Sequence, residues 1–142
     1  MRSLFIAIGN PLRHDDGVAR EVLAKLEGVE SRTVLQLTPE MAENLVGYDI
    51  VCFVDAHTGN IPQEVNFVEL QGVYQASPFT HHLTPQTCLA LAQALYGHSP
   101  KGYLMSVRGY KFGFSSELSD QTQQLALAAG QQLISWLTQV ED

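Results

Sequence analysis

Leu4-Phe5-Ile6-Ala7-Ile8-Gly9-Asn10-Pro11-Leu12-Arg13-His14-Asp15-Asp16-Gly17-Val18 is the stretch that decides how the chain is read. Its first five residues are continuously apolar, the pattern of a strand buried on both faces. From Val18 onward, Val18, Val22, Leu23 and Leu26 recur at helical spacing. The turn between them delivers two carboxylates to the mouth of a sheet, at the start of a helix. In open α/β sheets the crevice beyond the strand ends is the usual ligand site.

The same alternation continues outward. Strand patterns are expected at 3–8, 33–37, 50–54, 65–70 and 103–107, with 65–70 irregular enough for an edge. Thr38-Pro39-Glu40 opens a second helix, with Met41 and Leu45 apolar and Gly47 as its stop. Thr84-Pro85 opens a third, with Cys88, Leu89, Ala92 and Leu95 facing inward and Gly97 ending it. A fourth is capped by Ser119 and runs to about Val140, with Leu125, Ala128, Leu133, Trp136, Leu137 and Val140 as its stripe. This order predicts a three-layer α/β/α fold, a mostly parallel twisted five-stranded sheet with helices on both faces. Residues 1–142 are expected to form one domain, with no repeat or linker.

Composition narrows the function classes. The chain is 45% hydrophobic and 16% charged, which suits a globular protein. Eight basic and fifteen acidic residues give a net charge of −7, without a Lys/Arg cluster. Neither a nucleic-acid groove nor an anionic membrane surface is expected to be its partner. Cys52 and Cys88 sit in apolar settings without metal-ligand spacing and read as inert core thiols. No apolar run approaches the ~18 residues of a spanning helix, so a cytoplasmic protein is expected.

Three chemically capable positions converge on one sheet edge. Asp55 ends the third strand after four apolar residues, on the same edge as Asp16. The loop Ser77-Pro78-Phe79-Thr80-His81-His82-Leu83-Thr84 can bring a histidine there. Two carboxylates and an imidazole make a three-ligand set suited to nickel or zinc rather than calcium. Each residue also has a plainer role: Asp15 or Asp16 as a helix-end acid, Asp55 as a turn former, one of the two histidines as an ordinary loop residue. His14, His57 and His98 read as solvated loop residues. There is no His-Glu-x-x-His, Gly-x-Ser-x-Gly, P-loop or dinucleotide fingerprint, and no visible protein nucleophile.

At these residues the chain resembles the hydrogenase maturation endopeptidases, which process the large subunit of nickel-iron hydrogenases. The matching pieces are Ile8-Gly9-Asn10-Pro11-Leu12 with Asp15-Asp16-Gly17, Leu37-Thr38-Pro39-Glu40, Phe53-Val54-Asp55-Ala56, His81-His82-Leu83-Thr84-Pro85 with Leu95-Tyr96-Gly97, and the segment from Phe114 to Leu118-Ser119. They fall in order along nearly the whole chain. The resemblance implies removal of a C-terminal extension from the large-subunit precursor after nickel insertion. It implies Asp16, Asp55 and His81 as catalytic and metal-contacting residues, with His82 the competing assignment, and Asp15 as a helper at the helix end. The nickel is expected to arrive with the substrate, and zinc or cadmium to substitute for it in crystals. His81 must be neutral to ligate, so activity is expected to fail at acid pH.

Two rival readings remain at this level. One is a non-catalytic relative that binds metal or a maturation partner. The other is a receiver-like signalling domain, opposed by the distance of Asp15-Asp16 from the strand end and by the lack of a lysine ending the last strand. Substrate contacts are expected at residues 10–14, 55–60 and 108–116, with Arg108 and Lys111 as solvated charges or as a grip on a partner carboxylate. A monomer is expected.

Overall fold

In the computed structural model, which describes residues 1–75 and 83–141, the opening apolar run is strand β1 (Ser3–Ile8). A single 3-10 turn (His14–Gly17) leads into α1 (Val18–Ala24). After it come β2 (Glu30–Val34), α2 (Met41–Asn44), β3 (Ile50–His57), β4 (Val65–Leu70), α3 (Pro85–Tyr96), β5 (Lys101–Arg108) and α4 (Asp120–Glu141). Among the described residues the strands form one sheet in the order β2-β1-β3-β5-β4. All neighbours are parallel except β4, which runs antiparallel to β5 at the edge.

The period-two geometry of β1 divides the core. Leu4 and Ile6 join Val51 and Phe53 on one face, under Met41, Leu45, Cys88 and Leu89. Phe5 and Ala7 join Cys52 and Val54 on the other, under Val18, Val22, Ala129 and Leu133. Trp136 of α4 closes that second layer edge-on against Phe5, Phe67 and Tyr103. Helices therefore cover both faces, as the fold class requires, and both cysteines are buried free thiols.

Several local expectations are corrected. The second strand lies at Glu30–Val34 rather than at 33–37, because pairing runs from Leu4↔Glu30 to Ile8↔Val34. It is a mostly exposed edge, so burial does not set its pattern and the apolar residues Leu35 and Leu37 lie past its end. The second helix is a single short turn whose N-cap residue, Glu40, makes no side-chain cap bond. On α3, Thr84 does cap, its Oγ1 accepting from the Thr87 N–H at 3.1 Å, but Leu95 is 62% exposed. On α4 the buried alanines are Ala126 and Ala129, while Ala128 is exposed. An alanine buries too little surface to reveal its face by type alone.

One glycine is obligatory at the end of β1. Gly9 leaves the strand at φ +142°, and a Cβ there would stand 2.0 Å from the backbone oxygen of Asp16. The chain returns close upon itself at this point, which carries Asp16 back to the strand end.

Candidate functional site

Asp16 and Asp55 open on one cavity of about 290 Å³ at the carboxyl edge of the sheet, walled also by Gly9, Arg13, Leu37 and Leu83. The loop after β1 is closed by its own hydrogen bonds. The Asn10 N–H donates to Asp16 Oδ2 at 2.7 Å, and Asn10 Oδ1 accepts from the Leu12 N–H at 2.9 Å. The Asp16 N–H donates to the Arg13 carbonyl at 3.0 Å. Asp16 is thus fixed by backbone while its carboxylate still borders the cavity.

Asp55 comes from the neighbouring strand. Ala7↔Val54 pairing places it level with the end of β1, and β3 continues two residues beyond it to His57. Burial pushes its carboxyl up to about 7; the Ala56 N–H, donating to Oδ1 at 2.8 Å, works against the shift, and the negative charge of Asp16 adds to it. Asp16 and Asp55 thus meet as two carboxyl groups in one pocket, and among the described residues no cluster of three or more His, Cys, Asp and Glu side chains stands ready to hold a metal ion. Arg13 is the one basic side chain among the described residues that line the cavity.

Asp15 has a different role from the expected helper at its own helix end. It is completely buried and points away into the protein. Its Oδ2 accepts from the N–H groups of Tyr110 at 2.7 Å and Lys111 at 2.9 Å. Ser119 donates twice, from N–H to Oδ1 and from Oγ to Oδ2, both at 2.7 Å. The Thr122 hydroxyl is shared between Asp15 Oδ2 at 2.8 Å and the Arg108 carbonyl at 3.0 Å. Burial alone would raise this carboxyl, but the bonds from Ser119, Tyr110 and Lys111 overcome it and hold Asp15 down to about 2. Asp15 therefore ties the loop beneath the cavity to the segment before α4, where Ser119 Oγ also accepts from the Thr122 N–H at 3.3 Å. No local pattern around Asp15 announces partners some hundred residues away.

The remaining candidates fall into different surroundings. His81 and His82 lie outside the described residues. His57 is buried, not a solvated loop residue: its Nδ1 accepts from the Gly59 N–H at 3.1 Å and its Nε2 faces the Gln63 carbonyl at 2.9 Å. A proton on Nε2 and a lone pair on Nδ1 satisfy both partners. His98 is exposed, as expected, and His14 is half-buried with its Nδ1 2.9 Å from the Glu117 carbonyl. Arg108 is half-buried, its guanidinium 4.6 Å from the Tyr110 ring centre. Lys111 is exposed. A larger cavity of about 520 Å³ lies between α1 and α4 and includes neither Asp16 nor Asp55.

The receiver-like alternative does not fit this sheet. Its edge strand β4 is antiparallel and Arg108, not lysine, ends β5. No family model and no curated protein matches the chain. Solved structures do. The NiFe hydrogenase maturation protease HybD from Thermococcus kodakarensis aligns over 96% of this chain and 99% of its own, at TM-score 0.67 and 19% identity. The hydrogenase maturating endopeptidase HybD from E. coli aligns over 99% and 94%, at TM-score 0.70 and 21% identity. The NiFe hydrogenase maturation protease HycI from Thermococcus kodakarensis KOD1 aligns over 96% and 92%, at TM-score 0.69 and 19% identity. The chain has the fold of these proteins along nearly its whole length.

Proposed function

We propose that this chain, built on the fold of the hydrogenase maturation proteases, is an endopeptidase that removes the C-terminal extension of a nickel-iron hydrogenase large-subunit precursor. The observation that carries the reading is the pair Asp16 and Asp55 opening on one cavity at the sheet edge. The nickel belongs to the substrate, and Asp16, Asp55 and His81 contact it, with His82 as the alternative to His81. The donor set suits a borderline divalent cation, because two carboxylates sharing a pocket gain from a positive charge between them. Bound nickel supplies Lewis acidity at the scissile peptide, which water then splits into a carboxylate and an amine.

The chain's own residues prepare this encounter. Asp16 is held by the Asn10 N–H, so it does not need to be ordered on binding. Burial pushes the Asp55 carboxyl up to about 7, so a divalent cation that takes it as a ligand competes with its proton. Docking of a nickel-loaded precursor is therefore accompanied by proton release, whereas a nickel-free precursor leaves that proton in place.

Purified protein mixed with nickel-loaded and nickel-free precursor tests this directly. The loaded precursor alone is expected to shorten, and Asp16→Asn and Asp55→Asn are each expected to slow processing roughly 100-fold or more. Equal cleavage of both precursors overturns nickel recognition. Cleavage of neither overturns the protease reading.

A further inference from the structure

One surface beside the cavity is neither core nor part of the carboxylate pair. Residues 12–13 and 114–115 lie alongside each other, with Arg13 bridged in parallel to Ser115. The Ser115 N–H donates to the Leu12 carbonyl and the His14 N–H to the Ser115 carbonyl, both at 2.9 Å. This register sets Leu12 and Phe114 side by side. Leu12 is 52% exposed and Phe114 89%, the highest value for a large hydrophobic side chain among the described residues. Single apolar side chains on a surface are ordinary, but this pair adjoins Arg13, the residue of the ridge that lines the cavity.

The ridge also concentrates positive charge. Arg13 lines the cavity, and its Nη2 donates to the Phe112 carbonyl at 3.3 Å, which steadies the guanidinium. Lys111 is exposed on the same segment, and its backbone is tied to Asp15. Neither joins an ion pair among the described residues. These are two of eight basic residues in a chain of net charge −7. A partner with acidic character, repelled by most of the molecule, finds complementary charge here. The Asp15 bonds hold the ridge in place before binding, which limits the ordering cost.

We propose that the ridge of Leu12, Arg13, Lys111 and Phe114 docks an extended segment of the protein substrate that carries a carboxylate side chain next to an apolar one. The carboxylate lies on Arg13 and Lys111, and the apolar side chain on Leu12 and Phe114. This inference rests on the protease reading, and it names the part of the chain that grips the protein rather than the metal.

The test compares the intact wild-type protein with Phe114→Ala, Leu12→Ser and an Arg13→Glu/Lys111→Glu double variant on the nickel-loaded precursor. Each ridge variant is expected to raise KM about tenfold, with the loss in KM exceeding any loss in kcat. Leu127→Ala, on the outer face of α4, is expected to leave KM unchanged. Thermal melting of Phe114→Ala, whose side chain is nearly free of contacts, is expected to match wild type. Ridge variants with wild-type KM overturn the proposal while the protease reading stands. A wild-type dimer that Phe114→Ala dissociates also overturns it, by making the ridge a self-contact. A wild-type protein that cleaves no precursor removes the protease reading and the ridge proposal together.

Discussion

Asp15 and Asp16 are identical neighbours with opposite surroundings. Asp16 faces a cavity with one oxygen tied to a backbone N–H, while Asp15 is sealed inside and fully hydrogen-bonded. The acidic pair is legible in the sequence as a site marker, but the division of labour is not, since residue type is the same at both positions. Asp55 is legible because a carboxylate after Val51-Cys52-Phe53-Val54 contradicts the burial of the strand it sits on. Its raised carboxyl makes stability depend on pH with a definite sign. The unfolded carboxyl titrates near 3.8 and the folded one near 7. Between these values the folded chain keeps a proton that the unfolded chain loses, so stability falls as pH rises, by roughly 4 kcal/mol in all. Asp55→Asn is expected to flatten this decline and to be more stable than wild type at pH 8. Urea unfolding at pH 5 and pH 8 measures it, and an unchanged wild-type slope in the variant contradicts the assignment.

At the scale of elements, the buried contacts decide what local patterns leave open. The starts of α3 and α4 are readable from Thr84-Pro85 and Ser119, because a cap is a local hydrogen bond. The second strand and second helix depart from their expected places, because an edge strand is half in water and a one-turn helix has too few positions to show a period. The beginning of α4 depends on more than its own cap, since Asp15 reaches it from the loop after β1. Asp15→Asn replaces an acceptor-only group by an amide that must point donors at other donors. It is expected to cost about 3 kcal/mol in urea unfolding at pH 7, where a loss below 1 kcal/mol would contradict the buried network. Because the folded Asp15 carboxyl stands near 2 and the unfolded near 3.8, wild type holds this contribution above pH 4. It loses about 2 kcal/mol as pH falls from about 4 to about 2, and the variant does not.

Across the whole molecule, β1 and β3 form the spine on which both layers and the cavity depend. Phe53 is completely buried between β3 and the α2/α3 layer. Phe53→Ala is expected to destabilise by about 3–5 kcal/mol, measured by the shift in urea midpoint at unchanged slope. A smaller loss would mean that the layer collapses onto the gap. The amino-acid sequence by itself determined the alternation of strands and helices, the buried central strands, the capped starts of α3 and α4 and the convergence of Asp16 and Asp55 on one edge. Those features arise from hydrophobic period and backbone hydrogen bonding, which act over a few residues. Only the tertiary structure decided the strand order, the antiparallel edge, the burial of His57 and the strap from Asp15 to α4. Those depend on contacts between segments far apart in the chain, where packing and desolvation, not neighbouring residues, choose which polar group is enclosed and which is left facing the cavity.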